Sequence, residues 1–155
     1  MHRGVGLAAA AVVAAVAASA AFGPDRTNPA VDPTAALDVG SVPAPVVSVM
    51  REACFDCHSD ETRWPWYASV PPVSLLVAHD VNKGRSHMNF SEWRTYNPFD
   101  RADMLDEACK RASSGDMPIW PYRLLHPKAR LSAADITTLC DWTRTEADRL
   151  ASGGD

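Results

Sequence analysis

Ala53-Cys54-Phe55-Asp56-Cys57-His58 is the stretch that decides how this chain is read. It has the form C-x-x-C-H, the attachment signal of c-type haem. Attachment needs two thiols, which form thioethers with the haem vinyl groups, and one imidazole for the iron. Residues three and four apart on a helix share a face, so Cys54, Cys57 and His58 can be aimed together at one porphyrin edge. A thioredoxin-like C-x-x-C expects a βαβ pattern around it, and none surrounds these residues. A four-cysteine zinc site with Cys109 and Cys140 would leave His58 without a task. The expected cofactor is one covalently bound haem c with its iron.

Toward the N-terminus, Met1-His2-Arg3 supplies a positive end, residues 5–17 an apolar run, and Ala18-Ser19-Ala20 an A-x-A cleavage site. Residues 1–20 therefore read as a signal peptide. The competing reading is a retained membrane anchor, because residues 4–22 are long enough to span a bilayer. Alanine dominates that run and inserts less readily than Leu, Ile or Phe. Both readings place the folded part outside the cytoplasm, in the periplasm or facing it from the inner membrane. Cutting after Ala20 removes Arg3 and leaves 14 basic against 19 acidic side chains, a net charge of −5. So mild a charge argues against a nucleic-acid partner, and membrane contact is expected only through an uncleaved anchor.

The remainder of the chain reads as helical. Residues 21–43, rich in Pro, Ala, Asp and Thr without periodicity, are expected to form a flexible leader. A helix is expected over 45–57, with Pro45 in its first turn and Val46, Val47, Met50 and Ala53 as its apolar stripe. Residues 59–72, holding two Trp, three Pro and one Tyr, predict an irregular loop. A second helix fits 73–82, ended by Lys83-Gly84, and Ser91 is positioned to cap a short turn through Trp93. Asp100 and Asp103 open a third, with Met104, Leu105, Ala108, Cys109 and Ala112 at helical spacing and Ser113-Ser114-Gly115 as its stop. Ser132 with Asp135 forms a near capping box before Ile136, Leu139, Cys140 and Trp142. No strand pattern persists, so residues 44–150 are expected to form one small all-α domain.

A C-x-x-C-H helix near the start, irregular loops and an aromatic-bearing last helix resemble the cytochrome c fold. The stretches 61–67 (ETRWPWY), 79–85 (HDVNKGR) and 89–93 (NFSEW), followed by Met117-Pro118, resemble the bacterial haem-binding domain family over roughly residues 45–147. The resemblance implies a small helical domain wrapped around a single covalent haem, with a long irregular middle loop. It also implies kinship with modules found beside cytochrome c or cytochrome c peroxidase-like domains, and hence redox partners of the respiratory or peroxidase type.

The sixth iron ligand is expected from Met117, in a loop between the last two helices where cytochromes c often place a methionine. Pro118 would stiffen that loop, and a thioether favours the reduced iron. Tyr122 and residues 125–132 (LHPKARLS) resemble the same part of class I cytochromes. His79 is the runner-up, on an apolar helix of the haem-covering loop; His87, Met88 and His126 follow, and His126 reads rather as a loop residue bonded to backbone. On the proximal side His58 should donate its second ring N–H to a backbone carbonyl. Cytochromes c commonly use a proline for this, and Pro71 or Pro72 stands at a suitable remove, although Val70 occupies the place of the usual glycine. Arg85, Trp64, Trp93 and Tyr122 are candidate donors to the haem propionates, and the Trp64-Pro65-Trp66 cluster is expected to pack on the porphyrin edge or the first helix.

Cys109 and Cys140 are left over, and two such residues in an oxidising compartment suggest a disulfide. Two function classes remain. An electron carrier needs only burial, two axial ligands and an exposed haem edge. A haem-based sensor, small-molecule binder or peroxidase-like catalyst needs an open distal position, and catalysis wants an acid–base residue such as His79 or His87 there. The Met117-Pro118 loop and the lack of a separate substrate domain favour the carrier over an enzyme.

Overall fold

In a computed structural model, residues 23–153 are described, together with the isolated positions 6, 10, 13, 14 and 17. The expected signal peptide or anchor therefore lies almost wholly outside the described residues. Among those described no helix is long and apolar enough to cross a membrane, and no strand is present.

Helix α1 (Ala44–Ala53) starts with proline in its first turn, where the missing N–H costs nothing, and buries Val46 and Met50. It does not run on to Cys57 as periodicity suggested. The backbone breaks at Cys54 (φ −124°, ψ −44°) and resumes as the short α2 (Phe55–His58). The break re-aims the motif so that Phe55 stacks on Phe90, ring centroids 5.1 Å apart, and Asp56 turns inward. Residues 59–72 form the expected loop, with one 3₁₀ turn at Trp66–Ser69.

Helix α3 (Val73–His87) outlasts its expected end at Asn82 by more than a turn. Gly84 lies inside it, pressed against Cys57. A Cβ there would collide with the Cys57 carbonyl oxygen and stand 2.9 Å from the carbonyl carbon. This glycine serves a close approach of two backbones rather than a helix stop.

The 3₁₀ turn Phe90–Thr95 is capped by Asn89, whose side chain accepts from the Ser91 N–H, so Ser91 is not the cap itself. Helix α4 (Pro98–Ser114) likewise begins earlier than the acidic pair suggested. Asn97 caps it, Pro98 fills its first turn, and Gly115 ends it at φ 77°, a left-handed conformation suited to glycine. The short α5 (Trp120–Leu125) and a 3₁₀ turn (Pro127–Ala129) lead to α6 (Ala133–Ala151). A complete capping box of Ser132 and Asp135 opens that helix.

Among the described residues, helices α4 and α6 form the most extensive helix–helix interface, fastened by a disulfide between Cys109 and Cys140. The core gathers Val46, Met50, Phe55, Phe90, Trp93, Leu105, Leu139 and Leu150.

Residues 23–43 have no regular helix, yet they do not hang free as a flexible leader would. The Leu37 N–H donates to the Phe90 carbonyl at 2.8 Å, and the Arg94 N–H to Ala35 at 2.7 Å. Arg26 and Asn28 bind the Ala68 and Thr62 carbonyls, and Val42 is buried. Composition predicted the irregularity; long-range backbone and side chain-to-backbone bonds of this kind leave no periodic mark in a sequence.

Candidate functional site

The motif is held from behind by the end of α3. Cys54 and Cys57 are free, half-buried thiols, in contrast to the bonded pair Cys109 and Cys140. Burial, with Cys57 alongside, pushes Cys54 up to about 12. Burial, then the charges of Asp56 and Asp80, push Cys57 up to about 12. Both are therefore neutral at ordinary pH.

His58 Nδ1 lies 3.0 Å from the Met88 carbonyl oxygen. A carbonyl only accepts, so Nδ1 carries the proton and Nε2 keeps its lone pair for a metal. Burial holds this imidazole below its ordinary pKa, against the opposing pull of the Met88 bond. The acceptor is thus a backbone carbonyl, as expected, but neither Pro71 nor Pro72. Those prolines start α3, whereas the helix's unexpected final turn carries Met88 onto His58.

Asp56, inside the motif, is a second fixed point. Its carboxylate accepts from the Arg63 backbone N–H (3.0 Å) and Nε (3.1 Å), and from the Tyr122 hydroxyl at 2.7 Å. Burial and this carboxylate raise the Tyr122 pKa, so the phenol stays protonated. Tyr122 stacks on His126, centroids 4.0 Å apart, and His126 Nε2 is hydrogen-bonded to the Tyr67 hydroxyl at 2.6 Å. His126 thus bonds a side chain rather than backbone.

A cleft of about 570 Å³, counting its open mouth, runs beside the motif. Cys57, Val73, Leu76, Val77, Val81, Ile119 and Leu125 give it an apolar lining, with Tyr67, Tyr122, Asp56, Arg63 and Asp80 as polar points.

The structure brings only some of the sequence candidates together. Tyr122 shares the cleft with Cys57. Arg85 and Trp64 meet on Asn28: Arg85 Nη2 and Trp64 Nε1 donate to its Oδ1 at 3.0 and 3.1 Å. Arg85 also donates to the Ser59 carbonyl and to Thr62 Oγ1, both at 2.9 Å, and pairs with Asp60 at 3.3 Å. Trp93 is 3% exposed, in the core between Phe90 and Tyr96. Trp66 is 80% exposed, so it covers neither the cleft nor α1. Met117 is 41% exposed and lines a separate groove with Trp120, Arg123, Leu124 and Arg130. His79 and His87 are exposed on α3, and His87 Nδ1 bonds the Lys83 carbonyl at 3.0 Å.

Sequence reasoning missed Asp56 and Asn28 and gave two other contributors different roles, Gly84 as a helix stop and Met88 as a candidate iron ligand. Two left a trace, a carboxylate set between the two motif cysteines and a glycine within a helical run. Met88 acts through its carbonyl and Asn28 from 26 positions before Cys54, so neither had a local signal.

Among the described residues no group of three or more His, Cys, Asp or Glu is arranged to hold a metal ion. With Cys109 and Cys140 bonded to each other, a four-cysteine zinc site falls away. Two free thiols three residues apart, an imidazole with one nitrogen already engaged and a mostly apolar cleft alongside suit haem. No curated protein and no solved structure matches the chain. A model of the haem-binding domain matches residues 14–145. By that match, and in keeping with its motif, the chain belongs to the haem-binding domain family.

Proposed function

We propose that the protein is a mono-haem c-type cytochrome that carries electrons in the cell envelope. The observation that carries this reading is the sorting of the cysteines: Cys109 and Cys140 are bonded, while Cys54 and Cys57 stay as thiols beside an oriented His58. When bound, the haem supplies a one-electron iron couple.

The chain's own residues do the rest. Cys54 and Cys57 anchor, and His58 presents Nε2 while Met88 holds Nδ1. Val77, Val81 and Ile119 give the adjacent cleft an apolar wall. We assign Met117 as the second iron ligand on the strength of the Met117-Pro118 motif; its side chain lines the separate groove, so the short turn between α4 and α5 would have to bring it to the iron. An electron carrier needs no substrate site beyond this. The apolar leader and the disulfide support export to the periplasm, with redox proteins as partners.

The test is the exported protein itself. Haem that survives denaturing electrophoresis, with a low-spin c-type spectrum indifferent to carbon monoxide, is expected. Met117→Ala should keep the covalent haem and admit carbon monoxide. A high-spin spectrum in the unmutated protein, or ready carbon monoxide binding, replaces the carrier by a sensor or peroxide-reactive protein. Absence of covalent haem overturns the reading.

A further inference from the structure

We propose that Arg85 and the leader residue Asn28 are positioning residues of the haem site, which fix the direction of the His58 imidazole by locking the backbone behind it to the end of α3. The inference rests on the reading of His58 as the iron ligand.

An imidazole's direction is set by two things, where its backbone is anchored and where its N–H finds an acceptor. Here both belong to one helix end. The acceptor is the Met88 carbonyl, at the residue that closes α3 by donating its own N–H to Gly84. The anchor is the segment that follows His58. Ser59 has no exposed surface, and its carbonyl accepts from Arg85 Nε at 2.9 Å. Arg85 stands three residues before Met88, so a single side chain ties His58's neighbour to the helix end that accepts His58's hydrogen bond.

Arg85 is itself held on its far side. Its Nη2 reaches Thr62 Oγ1 and Asn28 Oδ1. Asn28 Nδ2 returns a bond to the Thr62 carbonyl at 2.9 Å, and Trp64 Nε1 adds a second donor to Asn28 Oδ1. Asp60 completes the lock, accepting from Asn89 Nδ2 at 3.2 Å and pairing with Arg85. With its side chain 15% exposed and partnered on Ser59, Asp60, Thr62 and Asn28, the guanidinium serves the polypeptide rather than the propionates.

The chemistry gives the inference a sign. A well-directed bond from Nδ1–H raises the basicity of Nε2, which stabilises the oxidised iron and lowers the reduction potential. Loosening the lock should therefore raise the potential. Loss of a positive charge near the iron acts the other way, since it favours the oxidised state and lowers the potential. Charge-preserving variants separate the two. Arg85→Lys keeps the charge on a single nitrogen that cannot span these partners, and Asn28→Ala changes no charge.

The experiment is redox titration of the exported holoprotein, of both variants and of Arg85→Met as a charge control, with the electron paramagnetic resonance spectrum of the oxidised form as an independent report on the His58 imidazole. Both variants should keep their covalent haem, show a raised potential and show shifted g values. The two readouts should move together, and further in Arg85→Lys, which disturbs the Ser59 carbonyl directly. Wild-type potential and g values in both variants overturn the inference while leaving the haem reading intact. A potential unchanged in both and lowered only in Arg85→Met, where the charge is lost, also overturns it and makes Arg85 an electrostatic or propionate residue. No covalent haem in the unmutated protein overturns both readings at once. Should Arg85→Lys fail to fold, Asn28→Ala decides alone, since Asn28 is an exposed residue of the leader.

Discussion

At the scale of the residue, Gly84 carries the sharpest expectation. Helix propensity alone would reward Gly84→Ala by about 1 kcal/mol. The Cys57 backbone occupies the space of the new methyl, however, and backbone yields less readily than a side chain end. A net destabilisation of about 1–3 kcal/mol is expected, read as a lowered denaturation midpoint with less covalent haem per chain. His126 makes a second expectation. Burial, the largest influence, holds its pKa below 6.5, so the folded protein binds fewer protons than the unfolded chain in that range. Stability should fall as the pH drops from the ordinary histidine value toward the lowered one. Urea unfolding of the haem-loaded protein across that window should show this slope, and His126→Gln should flatten it. The candidate donor types are plain in the sequence at this scale, because the C-x-x-C-H signal specifies particular atoms at particular spacing. It hid Met88, because any residue offers the same carbonyl.

At the scale of the element, what was legible were the caps whose chemistry is local. The Ser132–Asp135 box and the Gly115 stop stand where side chain chemistry put them. Hydrogen bonds from Ser132 hold the Asp135 carboxyl below its usual range. That contribution is present above the ordinary carboxylate value and is lost as pH falls through the lowered one. Ser132→Ala should cost about 1 kcal/mol near neutrality and lose this acid dependence, which thermal melts at a series of pH values would check. The misjudged ends share a cause. Helix α3 outran Lys83-Gly84 because Gly84 packs on Cys57, and α1 stopped at Cys54 because Phe55 stacks on Phe90. Each boundary is decided by a partner distant in sequence, and tertiary packing overrides local propensity.

At the scale of the whole molecule, the all-helical architecture followed from the missing strand pattern, but the path of residues 23–43 did not. Their bonds to Phe90, Arg94 and Arg85 make them part of the domain. Replacing 23–43 by a glycine–serine segment of equal length should lower the melting temperature of the holoprotein, whereas a mere tether would leave it unchanged. The Cys109–Cys140 bond closes a separation of 31 residues between α4 and α6. In the chain-entropy picture its loss costs about 3–4 kcal/mol. The double variant Cys109→Ser with Cys140→Ser should therefore unfold at markedly lower denaturant, with its haem still attached.

The placement of the four cysteines has a consequence for biogenesis. Four thiols on one chain admit three pairings, and an oxidant that acts by proximity along the chain would join Cys54 to Cys57 first, since those emerge earliest and lie closest. The fold opposes that shortcut only once it exists: the α4–α6 interface brings Cys109 to Cys140, while burial keeps the motif thiols protonated and poor at exchange. If the protein is exported and binds haem through Cys54 and Cys57, as proposed, newly made chains pass through an interval in which those two thiols are exposed to the oxidant that makes the Cys109–Cys140 bond. On the proposed c-type reading, a cell that produces it needs an oxidant and a reductant working on the same molecule, in that order: one to close Cys109–Cys140, the other to return Cys54 and Cys57 to thiols.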